Sequence, residues 1–196
     1  MAQQPDQTET GVANMALSHL RQPPIVNIDT DTSKAGRVMR QWFGHLRDGL
    51  LRQYPWNFAE EYAEMAAVSE KPLHTFDLYY ALPSDPYCLT VRSVPGHPKE
   101  AWKVVGKRRI ATSITAPLRI VYTARVTDVQ NWDPLFVQAL AVQLAERAAP
   151  ELAKDERVSQ KIKADLAEAL AAAFPADAAE GTPDDFPDGS WVEAYL

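Results

Sequence analysis

The chain has 196 residues, with 20 lysines and arginines against 26 aspartates and glutamates, for a formal net charge of −6 at pH 7. At roughly 150 residues per domain this is one domain, or one with a substantial insertion, and 46% hydrophobic with 23% charged residues excludes disorder over most of it. A single cysteine, Cys88, excludes an intramolecular disulfide and a cysteine-based zinc cage, no apolar run approaches the roughly 20 residues that span a bilayer, and an acidic pI near 5.2 argues against a broad nucleic-acid-gripping face.

The polar, acidic start MAQQPDQTETG lacks the basic and apolar regions of a signal peptide, which leaves a soluble protein of a reducing compartment, with no membrane role. Two helices are expected first. Val12, Ala16, Leu17 and Leu20 share one face of a short helix that begins after Thr10 and stops before Pro23-Pro24. Residues 27–33 offer several N-caps for a second helix, in which Val38, Trp42, Leu46 and Leu50 repeat every four residues up to Pro55.

Prolines 72, 83, 86, 95, 98 and 117 then punctuate a stretch that long helices do not tolerate. Between them lie strand-like segments at 76–81, 87–94, 101–105 and 118–126, the last alternating Leu118, Ile120, Tyr122 and Ala124 against Arg119, Val121, Thr123 and Arg125. Gly106-Lys107 suits a hairpin turn from 101–105 to 108–112. The spacing predicts a small antiparallel sheet module of four to six strands.

Helix returns at Asp133-Pro134, an Asp N-cap followed by proline at the first helical position. Phe136, Leu140 and Leu144 line one face, small alanines admit a close neighbour, and Pro150 ends or kinks the helix. A last helix runs from about Asp155 to Phe174, with Val158, Ile162, Leu166, Leu170 and Ala173 on one stripe and Pro175 as its stop. The fold class is α+β: a four-helix bundle from 10–55 and 133–175, an antiparallel β module inserted at 56–132, and an extended C-terminal arm at 180–196.

That arm, EGTPDDFPDGSWVEAYL, carries five acidic residues and no basic ones. Its composition builds no core, yet Phe186, Trp191, Tyr195 and Leu196 are spaced as anchors for a segment lying across another surface. Large apolar anchors of this kind dominate interface energetics.

Residues for chemistry are scarce. His19, His45, His74 and His97 make no metal-ligand spacing with one another or with Cys88, and no nucleophile elbow, P-loop, zinc-protease or dinucleotide motif occurs. Glu60-Glu61 and Asp184-Asp185 are sequential neighbours and read as solvated charge, and Cys88 reads as a small core residue. No enzyme activity, cofactor or metal is expected. The one basic cluster is Lys99, Lys103, Lys107, Arg108 and Arg109, with Trp102 among them. It suits a hairpin that tracks phosphates, a solvated edge guarded against pairing, or a basic contact for an acidic partner such as the arm of a neighbouring copy. The first of these, a nucleic-acid-binding module using the 99–109 hairpin, is the alternative function class.

The order of GVANMALSHL at 11–20, DTDTSKAGRVMRQWFGHLRDGLLRQY at 29–54 and Pro55-Trp56-Asn57-Phe58-Ala59 resembles the tail tubular protein A family of short-tailed phages, the head-to-tail adaptors. The likeness continues through Tyr80-Ala81-Leu82-Pro83-Ser84-Asp85, the Pro117–Tyr122 strand, the Arg125–Asp128 turn and Trp132-Asp133-Pro134-Leu135-Phe136, and covers roughly residues 11–180. The PWNFA and YALPSD stretches are its most specific elements. Arg21-Gln22-Pro23-Pro24 stands where relatives often place a glycine turn, and the arm matches only through Ser190-Trp191.

The resemblance implies a structural virion protein at the head–tail interface, assembled in the host cytoplasm. About twelve copies would ring the space between the portal protein and the tail tube or nozzle, extending a channel through which DNA passes without sequence-specific binding. A phage-derived gene transfer particle is a variant of the same reading. Trp56, Asn57 and Phe58 are expected to fix the junction between helices and sheet module, Lys107, Arg108 and Arg109 to form the basic hairpin contact, and Phe186, Trp191, Tyr195 and Leu196 to contact the portal or a neighbouring subunit.

Overall fold

A computed structural model of the chain describes residues 8–72, 75–106, 108–153 and 156–180. Among them are four α-helices and six strands, in the order α1 (Glu9–His19), α2 (Lys34–Gln53), β1 (Glu60–Met65), β2 (Leu78–Ala81), β3 (Cys88–Ser93), β4 (Trp102–Val105), β5 (Arg109–Thr112), β6 (Leu118–Ala124), α3 (Pro134–Leu152) and α4 (Glu156–Glu180). The fold is α+β, with antiparallel sheets between two pairs of helices.

Each helix start has a local chemical cause. Thr8 caps α1 by accepting the Gly11 N–H at 3.0 Å, so the helix begins ahead of Thr10 rather than after it. Ser33 accepts the Gly36 N–H at 3.0 Å to start α2. One Asp133 oxygen takes the Leu135 and Phe136 N–H groups at 2.7 and 3.1 Å to start α3. Such caps satisfy donors that have no partner inside the helix.

Helix α3 is the hub: it packs against α1, α2 and α4. Phe136, Leu140 and Leu144 are buried, and so are Ala139, Ala141, Ala145, Ala148 and Ala149, whose small side chains let neighbouring backbones come close. The helical core also takes in Leu17, Met39, Leu50, Leu51 and Trp56. The expected stripe of α4 meets it through Ile162 and Ala173, both buried, with Val158, Leu166 and Leu170 packed at its edge.

The expected stop at Pro175 needs correction, and Pro150, read as ending or kinking its helix, does not itself end it. Pro150 lies inside α3, which ends two residues later at Leu152, and Pro175 lies inside α4, which continues to Glu180. Proline inside a helix costs about 3 kcal/mol through a lost N–H and a clash with the preceding turn. In α4 the turns around Pro175 are bound to the rest of the protein. The Tyr54 hydroxyl donates to the Phe174 carbonyl at 2.7 Å, and the Asp177 carboxylate accepts the Asn57 N–H. These tertiary bonds offset the local penalty.

The β region is two three-stranded antiparallel sheets, in the orders β1-β6-β3 and β2-β5-β4, rather than one continuous sheet. Strand β1 lies where no strand was expected, because EEYAEM shows little apolar alternation: only Met65 is buried. Its partner supplies what it lacks. Strand β6 pairs with β1 from Glu60↔Thr123 to Met65↔Leu118 and with β3 on its other edge. The expected inward set Leu118, Ile120, Tyr122 and Ala124 is buried, and these side chains meet Tyr80, Trp102 and Ile110 of the second sheet in a shared core. Thr123, on the opposite side of the alternation, is also buried, because Arg92 covers it and donates to its Oγ1 at 2.9 Å. Strands β4 and β5 pair from Trp102↔Thr112 to Val105↔Arg109, so the expected hairpin closes over 106–108.

Candidate functional site

Two features stand out: a joint where helices meet sheets, and a cationic groove beside it. The joint is built on the segment after α2. Trp56 is fully buried, donates from its indole N–H to the Leu50 carbonyl at 3.0 Å, and sits among Tyr54, Phe58, Phe136 and Phe174 with ring centroids 5.1–6.0 Å away. Edge-on aromatic packing of this kind adds to the area buried. Phe58 meets Phe136 at 5.1 Å in the same edge-on manner.

Asn57 binds the end of α4 through both ends of Asp177. Its backbone N–H donates to the two carboxylate oxygens at 3.0 and 3.2 Å, and its side-chain amide donates to the Asp177 carbonyl. Asp177 is only 6% exposed. Burial pushes its carboxyl above the ordinary aspartate value, against the opposing pull of the Asn57 N–H. Arg92 of β3 closes the joint from the sheet side. It donates to the Trp56 carbonyl at 2.5 Å, to Thr123 Oγ1 and, in an ion pair, to Glu60 Oε2 at 2.6 Å. Glu60 is therefore a half-buried partner rather than solvated charge, because a guanidinium fixed by two neutral acceptors presents its remaining edge to it.

The groove lies between α2 and the strands. It encloses about 440 Å³ and is lined by Asp48, Gly49 and Arg52 of α2, by Leu82, Tyr87, Cys88 and Leu89, by Val104, Val105 and Arg108 of the β4–β5 hairpin, and by Arg125 after β6. The Tyr87 ring is held between two guanidinium groups, with Arg108 3.6 Å and Arg125 4.2 Å from its centroid. Arg108 also donates to the Pro83 carbonyl at 2.7 Å, and its backbone is left-handed, at φ 55°. Arg125 pairs with Asp48 at 2.6 Å, and its Nε has no hydrogen-bond partner among the described residues. Arg52 is exposed and has no ion pair among the described residues. With one aspartate against three arginines, the groove carries excess positive charge. At its floor burial pushes the Cys88 thiol up to about 11, outweighing Arg108 and Arg52, so at neutral pH it stays a protonated thiol.

The structure brings Trp56, Asn57 and Phe58 together in one joint, and sends the hairpin arginines to different places. Arg108 lines the groove. Arg109 turns away, pairs with Glu70 at 2.7 Å and stacks on Tyr79 at 4.1 Å. Lys99 lies 3.5 Å over the Trp102 ring. Lys107 and the arm anchors Phe186, Trp191, Tyr195 and Leu196 lie outside the described residues. Among the described residues no group of three or more His, Cys, Asp and Glu side chains could hold a metal ion, and no helix is long and apolar enough to cross a membrane. No protein-family model matches the sequence, and no curated protein matches it.

Sequence reasoning missed Asp177 and Arg92, the two charged residues that complete the joint. A signal existed for the first: an aspartate flanked by alanines in the run AAAFPADAAE, two residues beyond Pro175. Arg92 carried no such signal, because its partners Thr123, Glu60 and Trp56 lie 31, 32 and 36 residues away in the chain.

Proposed function

We propose that the protein is a structural virion component, a head-to-tail adaptor. About twelve copies form a ring between the portal and the tail tube or nozzle at the head–tail interface, and the channel they extend passes DNA without reading its sequence. The helical layer acts as a four-helix bundle organised about α3, and it carries the β module as a rigid appendage.

One observation carries most of this reading. The most specific stretch of the adaptor resemblance, Pro55-Trp56-Asn57-Phe58-Ala59, is the segment that bonds α2, α4 and β3 into one joint. A ring subunit transmits load between two different neighbours, so it needs its surfaces rigidly related. The second specific stretch, Tyr80–Asp85, leads from β2 to the rim of the cationic groove at Leu82. Arg109 supports the assembly reading over a nucleic-acid module, since its guanidinium is already paired with Glu70 and stacked on Tyr79. No catalytic role is part of the proposal.

The test is the solution mass of the full chain by light scattering, alone and with the candidate portal ring of the same particle. Twelve copies of 21.8 kDa give about 260 kDa. A ring of that mass, alone or on the portal, supports the adaptor; a monomer or dimer indifferent to the portal contradicts it. Deleting 181–196 should weaken the assembly by on the order of 2 kcal/mol or more and leave the remaining chain folded, with a cooperative thermal transition. Loss of the folded state on deletion would instead make the arm part of the subunit's own core.

A further inference from the structure

We propose that the arginine groove is the resting site of the chain's own C-terminal segment, residues 181–196, in the free subunit. The inference concerns the free subunit and stands whether or not the ring forms.

Charge and surface chemistry match on both sides. The segment has four carboxylate side chains, Asp184, Asp185, Asp188 and Glu193, no lysine or arginine, and the apolar residues Phe186, Trp191, Tyr195 and Leu196 between them. The groove offers the complement: the guanidinium groups of Arg52, Arg108 and Arg125, alternating with Leu82, Leu89 and Val104. Val104 is 46% exposed, one of few large apolar side chains so exposed. Arg52 has no carboxylate partner among the described residues, and Arg108 is held by a ring and a carbonyl, so both have charge to offer. Guanidinium groups bind carboxylates through paired N–H donors, which gives direction as well as attraction.

Reach is also satisfied. Arg52 sits two residues before Tyr54, whose hydroxyl binds the Phe174 carbonyl of α4. From Phe174 the helix runs six residues to Glu180, about 9 Å at 1.5 Å per residue. Sixteen residues beyond it can extend at most roughly 53–58 Å. The segment therefore starts within a short span of the groove and has length to spare. A second cationic cleft, lined by His19, Arg21, Arg157, Lys161 and Asp165 between α1 and α4, fits less well. It lies toward the opposite end of α4, and its Arg157 is already engaged.

Docking in the groove would keep the anchors covered until a partner competes for them. The experiment is limited proteolysis of the dilute full chain with chymotrypsin, following cleavage after Trp191 by mass spectrometry. When opening is fast, cleavage tracks the open population, and Arg52→Glu/Arg108→Glu is expected to raise the cleavage rate about tenfold. Lys163→Glu, an exposed charge reversal on α4 away from the groove, is expected to leave the rate unchanged. Arg52→Glu alone, at an exposed position, gives an intermediate rise and covers the case in which the double variant fails to fold. Equal cleavage of wild type and Arg52→Glu would overturn the proposal. So would wild-type protection that grows with protein concentration, which would put the segment on a second copy.

Discussion

Asp177 offers the sharpest test of how the helices and sheets are joined. Its carboxylate accepts the Asn57 N–H at 3.0 and 3.2 Å while nearly all of the residue is out of water. Asp177→Ala removes that acceptor and leaves a part-buried donor unpaired, which costs about 1–3 kcal/mol. For a chain of this size that is roughly 2–12 °C in the thermal midpoint, since about 1 kcal/mol shifts it by 2–4 °C. Asp177→Asn keeps an oxygen for the Asn57 N–H and removes the cost of burying a charge, so it should cost well under half as much. The pH dependence has a definite sign. The folded pKa is raised above the ordinary aspartate value of 3.8, so between those two values the folded state holds the proton more tightly than the unfolded state. Stability from this group is fully present at pH below 3.8 and is lost as pH rises through the raised value. Thermal melts of wild type and Asp177→Asn across pH 4 to 8 would show it: the wild type loses ground to the asparagine variant as pH rises. A wild type that gains on the asparagine variant as pH rises, or an alanine variant as stable as wild type, would refute this account of the joint.

Trp56→Ala should cost about 3–5 kcal/mol, the usual range for a buried tryptophan, and Trp56→Phe clearly less, although it loses the bond to the Leu50 carbonyl; denaturant unfolding reads both, and equal losses would mean that packing contributes little. Gly36→Ala should destabilise by about 1–2 kcal/mol despite alanine's better helix propensity. A Cβ there would lie 2.7 Å from the Asp31 Cβ and displace the Asp31 carboxylate, which accepts the Ser33 N–H at 2.8 Å; a higher melting temperature would show that this loop yields freely. Cys88 should resist alkylation at pH 7 in the native state and react fully once unfolded, because its thiol titrates at about 11; prompt native labelling would contradict its burial.

Helix positions were legible because their signals are local. Asp133-Pro134 carries its cap chemistry in adjacent residues, and the four-residue repeat of Val38, Trp42, Leu46 and Leu50 needs no knowledge of what it packs against. Strands 78–81, 88–93, 102–105 and 118–124 were legible from β-branched and aromatic residues between prolines. What escaped was non-local. Strand β1 is polar in itself and exists because β6 offers a free edge. The continuation of α4 past Pro175 depends on Tyr54 and Asn57, 120 residues earlier in the chain. The groove draws Arg52, Arg108 and Arg125 from a helix, a hairpin and the end of a strand, and no spacing in the sequence relates them. The hairpin arginines were visible as a cluster, but pairing of Arg109 with Glu70 split that cluster in two.

The adaptor ring is tested most directly by electron microscopy of the full chain mixed with the candidate portal, with end-on class averages counted for subunits. The expected image is a closed ring of about twelve copies, coaxial with the portal and open along its axis. Averages that show a bare portal, with the protein remaining as separate subunits, would contradict the adaptor reading.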